Sequence, residues 1–212
     1  SGSGLGCPDW PLCHGEVVPP IEAHAIIEFS HRVLASIVGG LVIVCAVIAW
    51  VKCRTIPRVV LPILFAVCVV ILQVGLGAMT VLMKLPPGLV TLHLAVAEIL
   101  FALILMTLVR SSTWFMGSYP FPLTGLYHWA VAAAIMTFLA LLSGSYMVAE
   151  GAGFTCLEWP FCGNGLLPSS NLEWISMMHR IVVAVAGFSV MLVVIRGWGN
   201  MDVPYVIRVS TG

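Results

Sequence analysis

Glu28-Phe29-Ser30-His31-Arg32 sets an acid, an imidazole and a guanidinium at the mouth of the apolar run from Val33 to Val51. Hydrocarbon offers ionisable side chains few partners, so groups kept at such a place are held there by specific contacts. The feature is written twice. Met178-His179-Arg180 opens the run from Ile181 to Ile195, and His31, Arg32 and Gly39 recur 148 positions later as His179, Arg180 and Gly187. An internal repeat is therefore the first fact that a fold for this chain must accommodate.

Composition sets the solvent. Of the 212 residues 60% are hydrophobic and 8% charged, and the mean hydropathy is +1.09. A soluble domain is closer to half apolar and a quarter charged. This is the composition of a membrane protein. Nine basic and nine acidic residues cancel, so nothing points to a nucleic-acid partner and each charge is read on its own. No charged segment precedes the start as a signal peptide would require. The opening at Ser1, inside a Gly/Ser-rich stretch, reads as a chain whose beginning is missing.

Residues 1–26 form a polar, Pro/Gly-rich loop carrying Cys7-Pro-Asp-Trp-Pro-Leu-Cys13. Five apolar segments follow, at 27–51, 59–83, 89–110, 125–148 and 174–196, each near the ~20 residues a helix needs to cross a bilayer. Lys52, Arg54 and Arg58 lie between the first two, and Arg110 and Arg196 close the third and fifth. By the positive-inside rule these ends face the cytoplasm of a plasma-membrane protein and the cysteine loops face out, with Lys84 against the trend. The second outer loop, 149–173, holds Cys156-Leu-Glu-Trp-Pro-Phe-Cys162, the first loop's pattern again. Since the fifth segment repeats the first, the repeating unit has four helices. The expectation is an all-α, polytopic transmembrane bundle built as a tandem four-helix repeat, with five of eight helices present, one missing before Ser1 and two after Gly212. The division falls into residues 1–110 and 111–212.

His31, His93 and His179 sit four or five residues inside segments that all run inward, ~6–8 Å below the outer boundary at 1.5 Å per residue. A lone histidine at a helix start commonly bonds a nearby carbonyl. Three at one depth, two of them related by the repeat, favour ligation of a metal or haem by imidazole, and zinc is disfavoured by the shortage of Cys and carboxylate there. Glu28, one turn before His31, shares its helix face, as interfacial acid, ligand orienter or base. Ser176 stands at its place in the repeat. Arg32 and Arg180 suit an anionic group such as a haem propionate, or snorkelling to the outer headgroups. Glu98, near mid-membrane, suggests an interhelical polar contact or a proton path. His14 and His24, in the loop, and His128, near the inner end of the fourth segment, read as structural. Cys45, Cys53 and Cys68 read as thiols. The other four cysteines form two pairs spaced six apart on the side where disulfides persist, giving Cys7–Cys13 and Cys156–Cys162, with Trp10 and Trp159 as interfacial anchors. A metal site is the rival reading, at poor zinc spacing.

Taken together, the loop from Ser1 to Cys13, Glu28-x-x-His31-Arg32, the run Gln73-Val-Gly-Leu-Gly-Ala-Met-Thr-Val81 and Leu85-Pro-Pro-Gly-Leu-Val-Thr-Leu-His93 resemble the haem A synthases. The likeness covers nearly the whole chain and is to the bacterial and archaeal, cysteine-containing type. It implies an eight-helix membrane protein with two similar halves that oxidises a methyl group of haem O to the formyl group of haem A, through hydroxylated intermediates, for terminal oxidases. Carried over, His31 and His93 match the substrate-haem ligands, Glu28 the important acid, and His179 one ligand of the cofactor haem b. Cys7 and Cys13 match the pair implicated in haem transfer or redox coupling, and Cys156 and Cys162 the more structural pair. The implied partners are haem O, haem A, a haem O synthase, a terminal oxidase and membrane lipid, with homo-oligomerisation open. Truncation at both ends is the departure from the family pattern, and it puts the activity of this chain alone in question. A di-haem b-type electron carrier also accounts for the histidines but leaves Glu28 and the cysteine pairs without a role. A membrane thiol-disulfide oxidoreductase working with quinone would need a low-pKa cysteine, and no Cys-x-x-Cys is present.

Overall fold

A computed structural model describes residues 3–116, 124–156, 158, 162 and 168–199. Five long helices run through them: α1 Ala23–Cys53, α2 Pro57–Leu82, α3 Pro87–Met116, α4 Thr124–Ala149 and α5 Asn171–Gly199. All five are long and apolar enough to span a membrane. The protein is thus an all-α, multi-pass membrane protein. The helices outrun most of the apolar segments, because turns of polar residues carry them past the hydrocarbon.

Local chemistry sets several of these ends. Pro57 and Pro87 occupy first-turn positions, where the missing N–H would have had no partner. After α2, Lys84 and Leu85 both adopt φ near +60°, and their N–H groups bond back to Val81 and Thr80, which turns the chain tightly into α3. Ahead of α5, Ser170 Oγ accepts the Glu173 N–H at 3.3 Å, and the Glu173 carboxylate accepts the Ser169 N–H at 2.6 Å. That reciprocal arrangement is close to a capping box, and it starts the helix three residues before the apolar run.

The chain forms two compact units, Ser1–Ser118 and Tyr119–Gly212. In the first, α2 packs against both α1 and α3. Val42, Ala46 and Ala49 of α1 meet Ile63 and Ala66 of α2, with Leu100, Leu103 and Ile104 of α3 against them. Small residues bring the backbones close, the usual means of association where lipid removes the hydrophobic driving force. The start of α2 and the C-terminal part of α3 are tied by Arg110, whose Nη1 donates to the Arg58 carbonyl at 3.2 Å. In the second unit α4 packs along α5, and the Arg196 guanidinium lies 3.8 Å over the Trp129 ring, a cation–π contact.

Candidate functional site

Arg32 is the side chain that makes most of the bonds folding the loop before α1 onto that helix. Arg32 donates from Nη1 to the carbonyls of Asp9 and Leu12, both at 2.9 Å, and from Nη2 to that of Cys7 at 3.0 Å. Its Nε donates to Glu28 Oε1 at 3.2 Å. Beneath it the Cys7–Cys13 disulfide is formed and both sulfurs are fully buried against Ala25, with Phe29 beside them. Gly6 allows this seat, since a Cβ there would lie 2.1 Å from the His24 carbonyl oxygen. Asp9 shapes the tip: its two carboxylate oxygens accept the N–H groups of His14 and Gly15, each at 2.7 Å. The Gly15 N–H first, and that of His14 after it, hold the Asp9 carboxyl below its ordinary range.

The second unit repeats the clamp. Arg180 donates from Nη1 to the Glu158 carbonyl at 2.7 Å and from Nη2 to the Cys156 carbonyl. These are the counterparts of Asp9 and Cys7. The Cys156–Cys162 disulfide is likewise formed. Cys156 Sγ lies 3.9 Å from the Glu173 carbonyl, as Cys7 Sγ lies 3.7 Å from that of Ala25, its counterpart. The difference is at the acid: Ser176, in the place of Glu28, is 4% exposed and offers Arg180 no carboxylate.

Glu28 and His31 share the face of α1 that carries Gly39, Val42 and Ala46 toward α2. His31 of α1 and His93 of α3 lie in the same compact unit, on the two helices that flank α2. Gly77 of α2 lies against the His93 ring; a Cβ there would be 3.3 Å from Cε1. Gln73, one turn earlier, donates from Nε2 to the His93 carbonyl at 3.0 Å. His93 Nδ1 and Gln73 Oε1 are buried and have no hydrogen-bond partner among the described residues. In the second unit Ser143 Oγ lies 2.9 Å from His179 Nδ1, and a Cβ on Gly144 would meet His179 Cε1 at 2.9 Å. A groove of about 450 Å³, lined by Pro11, Phe29, Arg32, Val33, Ser36 and Ile37, opens on a different face of α1 from His31.

Other expectations are modified. His24, read as a loop residue, lies in the first turn of α1, because that helix begins before its apolar run; its Nδ1 stands 2.9 Å from Ser3 Oγ. Glu98 makes no interhelical polar contact: both carboxylate oxygens are buried without a hydrogen-bond partner among the described residues, in a stretch of α3 otherwise apolar from Leu94 to Ile104. Cys45, Cys53 and Cys68 are free thiols. Trp10 is 42% exposed, as an interfacial side chain would be; Trp159 lies outside the described residues. His128 packs edge-on to Tyr127. Gln73, Ser143, Gly77 and Gly144 were not singled out as site residues. Their signal was there, as an amide, a hydroxyl and two glycines inside apolar helices.

These residues fit a haem better than a metal cage. Among the described residues no three of His, Cys, Asp and Glu converge to enclose an ion. Each imidazole instead projects singly from a membrane helix, with a glycine beside His93 and another beside His179 to admit the ring. Single imidazoles from separate helices are the donors that axial ligation of a planar macrocycle requires. The fold therefore defines an all-α, multi-pass membrane protein that carries single imidazoles on separate helices.

Comparison with known proteins gives the family. The model for the COX15-CtaA family, cytochrome oxidase assembly protein, matches residues 1–208, and the chain belongs to that family. It is 32% identical over 192 residues to a protein of Bacillus licheniformis named heme A synthase, covering 85% of this chain and 62% of that protein. A heme A synthase of Exiguobacterium sibiricum is 31% identical over 201 residues, covering 91% of this chain and 65% of the relative. One of Symbiobacterium thermophilum is 31% identical over 213 residues, covering 93% and 66%. The chain thus spans just under two thirds of the length of these relatives.

Proposed function

We propose that the protein is a haem A synthase, oxidising a methyl group of haem O to the formyl group of haem A. The observation that carries this reading is Glu28, held by Arg32 on the face of α1 that bears His31. A carrier that only ligated iron would have no use for an acid fastened there, and the second unit, with Ser176, has none. The names of the relatives support the same chemistry. Residues 1–110 form the substrate half, in which His31 and His93 receive haem O. Residues 111–212 belong to the half in which His179 ligates a resident haem b. Haem b, when bound, would supply an electron-transfer centre.

The work of the chain's own groups follows from their placement. Glu28 Oε1 is oriented by Arg32 Nε, which leaves Oε2 to take or hold a proton at the edge of the substrate, a contribution typically worth 10²–10⁴-fold. Arg32 and Arg180 keep the disulfide loops seated on α1 and α5, and so position the helix starts that carry His31 and His179. Both cysteine loops face the outer side of the plasma membrane. A haem O synthase supplies the substrate and a terminal oxidase receives the product.

Co-production with haem O and extraction of pigments tests the reading. Glu28→Gln keeps haem O bound and stalls its oxidation, whereas His93→Ala weakens the binding itself. Haem A formed at the unmodified rate by Glu28→Gln would remove the assignment of the acid. Extraction of haem b alone, with no haem A from supplied haem O, would mark an electron carrier instead.

A further inference from the structure

We infer that Ser143 is a positioning residue that fixes His179 as a permanent axial ligand, whereas His93, which none of the described residues holds in that way, is an exchangeable one. The inference rests on the proposed reading that these imidazoles meet haem iron. It goes beyond that reading in saying what makes one site retain its haem and the other release it.

Ser143 Oγ lies 3.0 Å from the Ala140 carbonyl and 2.9 Å from His179 Nδ1. A hydroxyl has one proton to give and a carbonyl can only accept. Both contacts are hydrogen bonds at once only when the proton goes to Ala140 and Ser143 Oγ accepts from Nδ1–H. A neutral imidazole has one N–H; with it committed to Ser143, Nε2 presents its lone pair. Gly144 completes the seat. Its missing Cβ would stand 2.9 Å from Cε1, so the ring lies close against the α4 backbone and any side chain there would displace it. Tautomer and ring orientation are both set before iron arrives.

His93 is seated differently. Gly77 leaves room for its ring, but Gln73 Nε2 gives one N–H to the His93 carbonyl at 3.0 Å and stands 3.5 Å from the ring Nε2, the end a metal needs. The far nitrogen, Nδ1, is buried without a partner among the described residues. The neighbouring polar group crowds the ligating end and leaves the supporting end bare. Loss of an outer partner to a ligating histidine typically costs 10–100-fold in affinity. A substrate that must leave as product needs such a ligand, and a cofactor needs the opposite.

The test uses haem b as probe. The protein loaded with haem b in detergent is mixed with excess apomyoglobin, and transfer is followed optically. Two phases are expected, the fast one lost in His93→Ala and the slow one in His179→Ala. Ser143→Ala accelerates the slow phase roughly 10–100-fold and shifts the ferric EPR spectrum. Ser143→Thr, which keeps the hydroxyl, restores both. If Ser143→Ala changes neither readout while His179→Ala removes the slow phase, the inference fails and the ligand assignment survives. Acceleration in Ser143→Thr as large as in Ser143→Ala would reduce Ser143 to packing and also overturn it, as would a fast phase belonging to His179. If neither histidine variant alters either phase, the ligand reading itself is wrong.

Discussion

Arg32 Nε lies 3.2 Å from Glu28 Oε1, one helical turn away, while the two terminal nitrogens of the same guanidinium hold the carbonyls of Cys7, Asp9 and Leu12. A single planar fork thus ties a disulfide loop to the acid beneath it. Lysine has one donor point and could not span these acceptors. Arg32→Gln is expected to ease local opening of the loop by about 2 kcal/mol, in the range for hydrogen bonds to a charged group. That corresponds to roughly thirtyfold faster reduction of Cys7–Cys13 by a dithiol, followed by timed alkylation. Arg32→Lys falls between, and Arg180→Gln accelerates only Cys156–Cys162. Equal rates in all variants would show that the loops are held by packing alone.

The covalent link should add to the clamp. Its cysteines are six positions apart, and closing a loop of that size restrains the unfolded chain by about 2 kcal/mol. Cys13→Ser is expected to lower the thermal midpoint in detergent, and reduction of the unmodified protein, which opens Cys156–Cys162 as well, to lower it further. A midpoint that does not move would assign the loop's order to Arg32.

Acid should loosen the loop tip at a definite place. The Asp9 carboxyl titrates below its ordinary range in the folded protein because the Gly15 and His14 N–H groups favour its anion. A depressed carboxylate stabilises the fold above its unfolded pKa, and that contribution is lost as pH falls through the folded value. Hydrogen-exchange protection at the His14 and Gly15 amides is therefore expected to hold at neutral pH and to fall only below the ordinary carboxylate range. In Asp9→Asn the same amides should show lower protection with no step in pH. An unmodified protein without that step would refute the carboxylate's part in the turn.

The two ring-facing glycines should differ in their tolerance of a methyl group. At Gly144 the added carbon would stand 2.9 Å from His179 Cε1, and at Gly77 it would stand 3.3 Å from His93 Cε1. Gly144→Ala must move the ring, at an overpacking cost of about 1–3 kcal/mol. Gly77→Ala needs a shift of only a few tenths of an ångström. Thermal unfolding of the two variants should rank Gly144→Ala well below Gly77→Ala; the reverse order would mean that the α4 seat is looser than described.

The spans were legible because hydrocarbon selects composition so strongly, and the disulfides because the same spacing was written twice. Helix ends were read less well. The Ser170–Glu173 cap and the turn at Lys84 and Leu85 are made by polar residues that a hydropathy pattern passes over. The arginines were read as facing either an anion or the headgroups, yet their bonds go to loop carbonyls. A backbone acceptor has no letter in the sequence, so such a contact leaves no trace there. For the same reason Ser143 escaped notice: its importance lies in facing His179 from 36 positions away, a relation that exists only once α4 and α5 pack.

The burial of Ser176 bears on how the two copies of this motif can still change. At 4% exposure, Ser176, at the position equivalent to Glu28, is covered by its neighbours, and Arg180 stands one turn away. Placing a glutamate there would force a bulky acid into filled space, at a penalty like that of other overpacked sites. In the first copy the acid is 12% exposed and has room beside Arg32. The two copies therefore differ in what the position tolerates: a second acid cannot be introduced at 176 by one substitution unless the surrounding side chains retreat first.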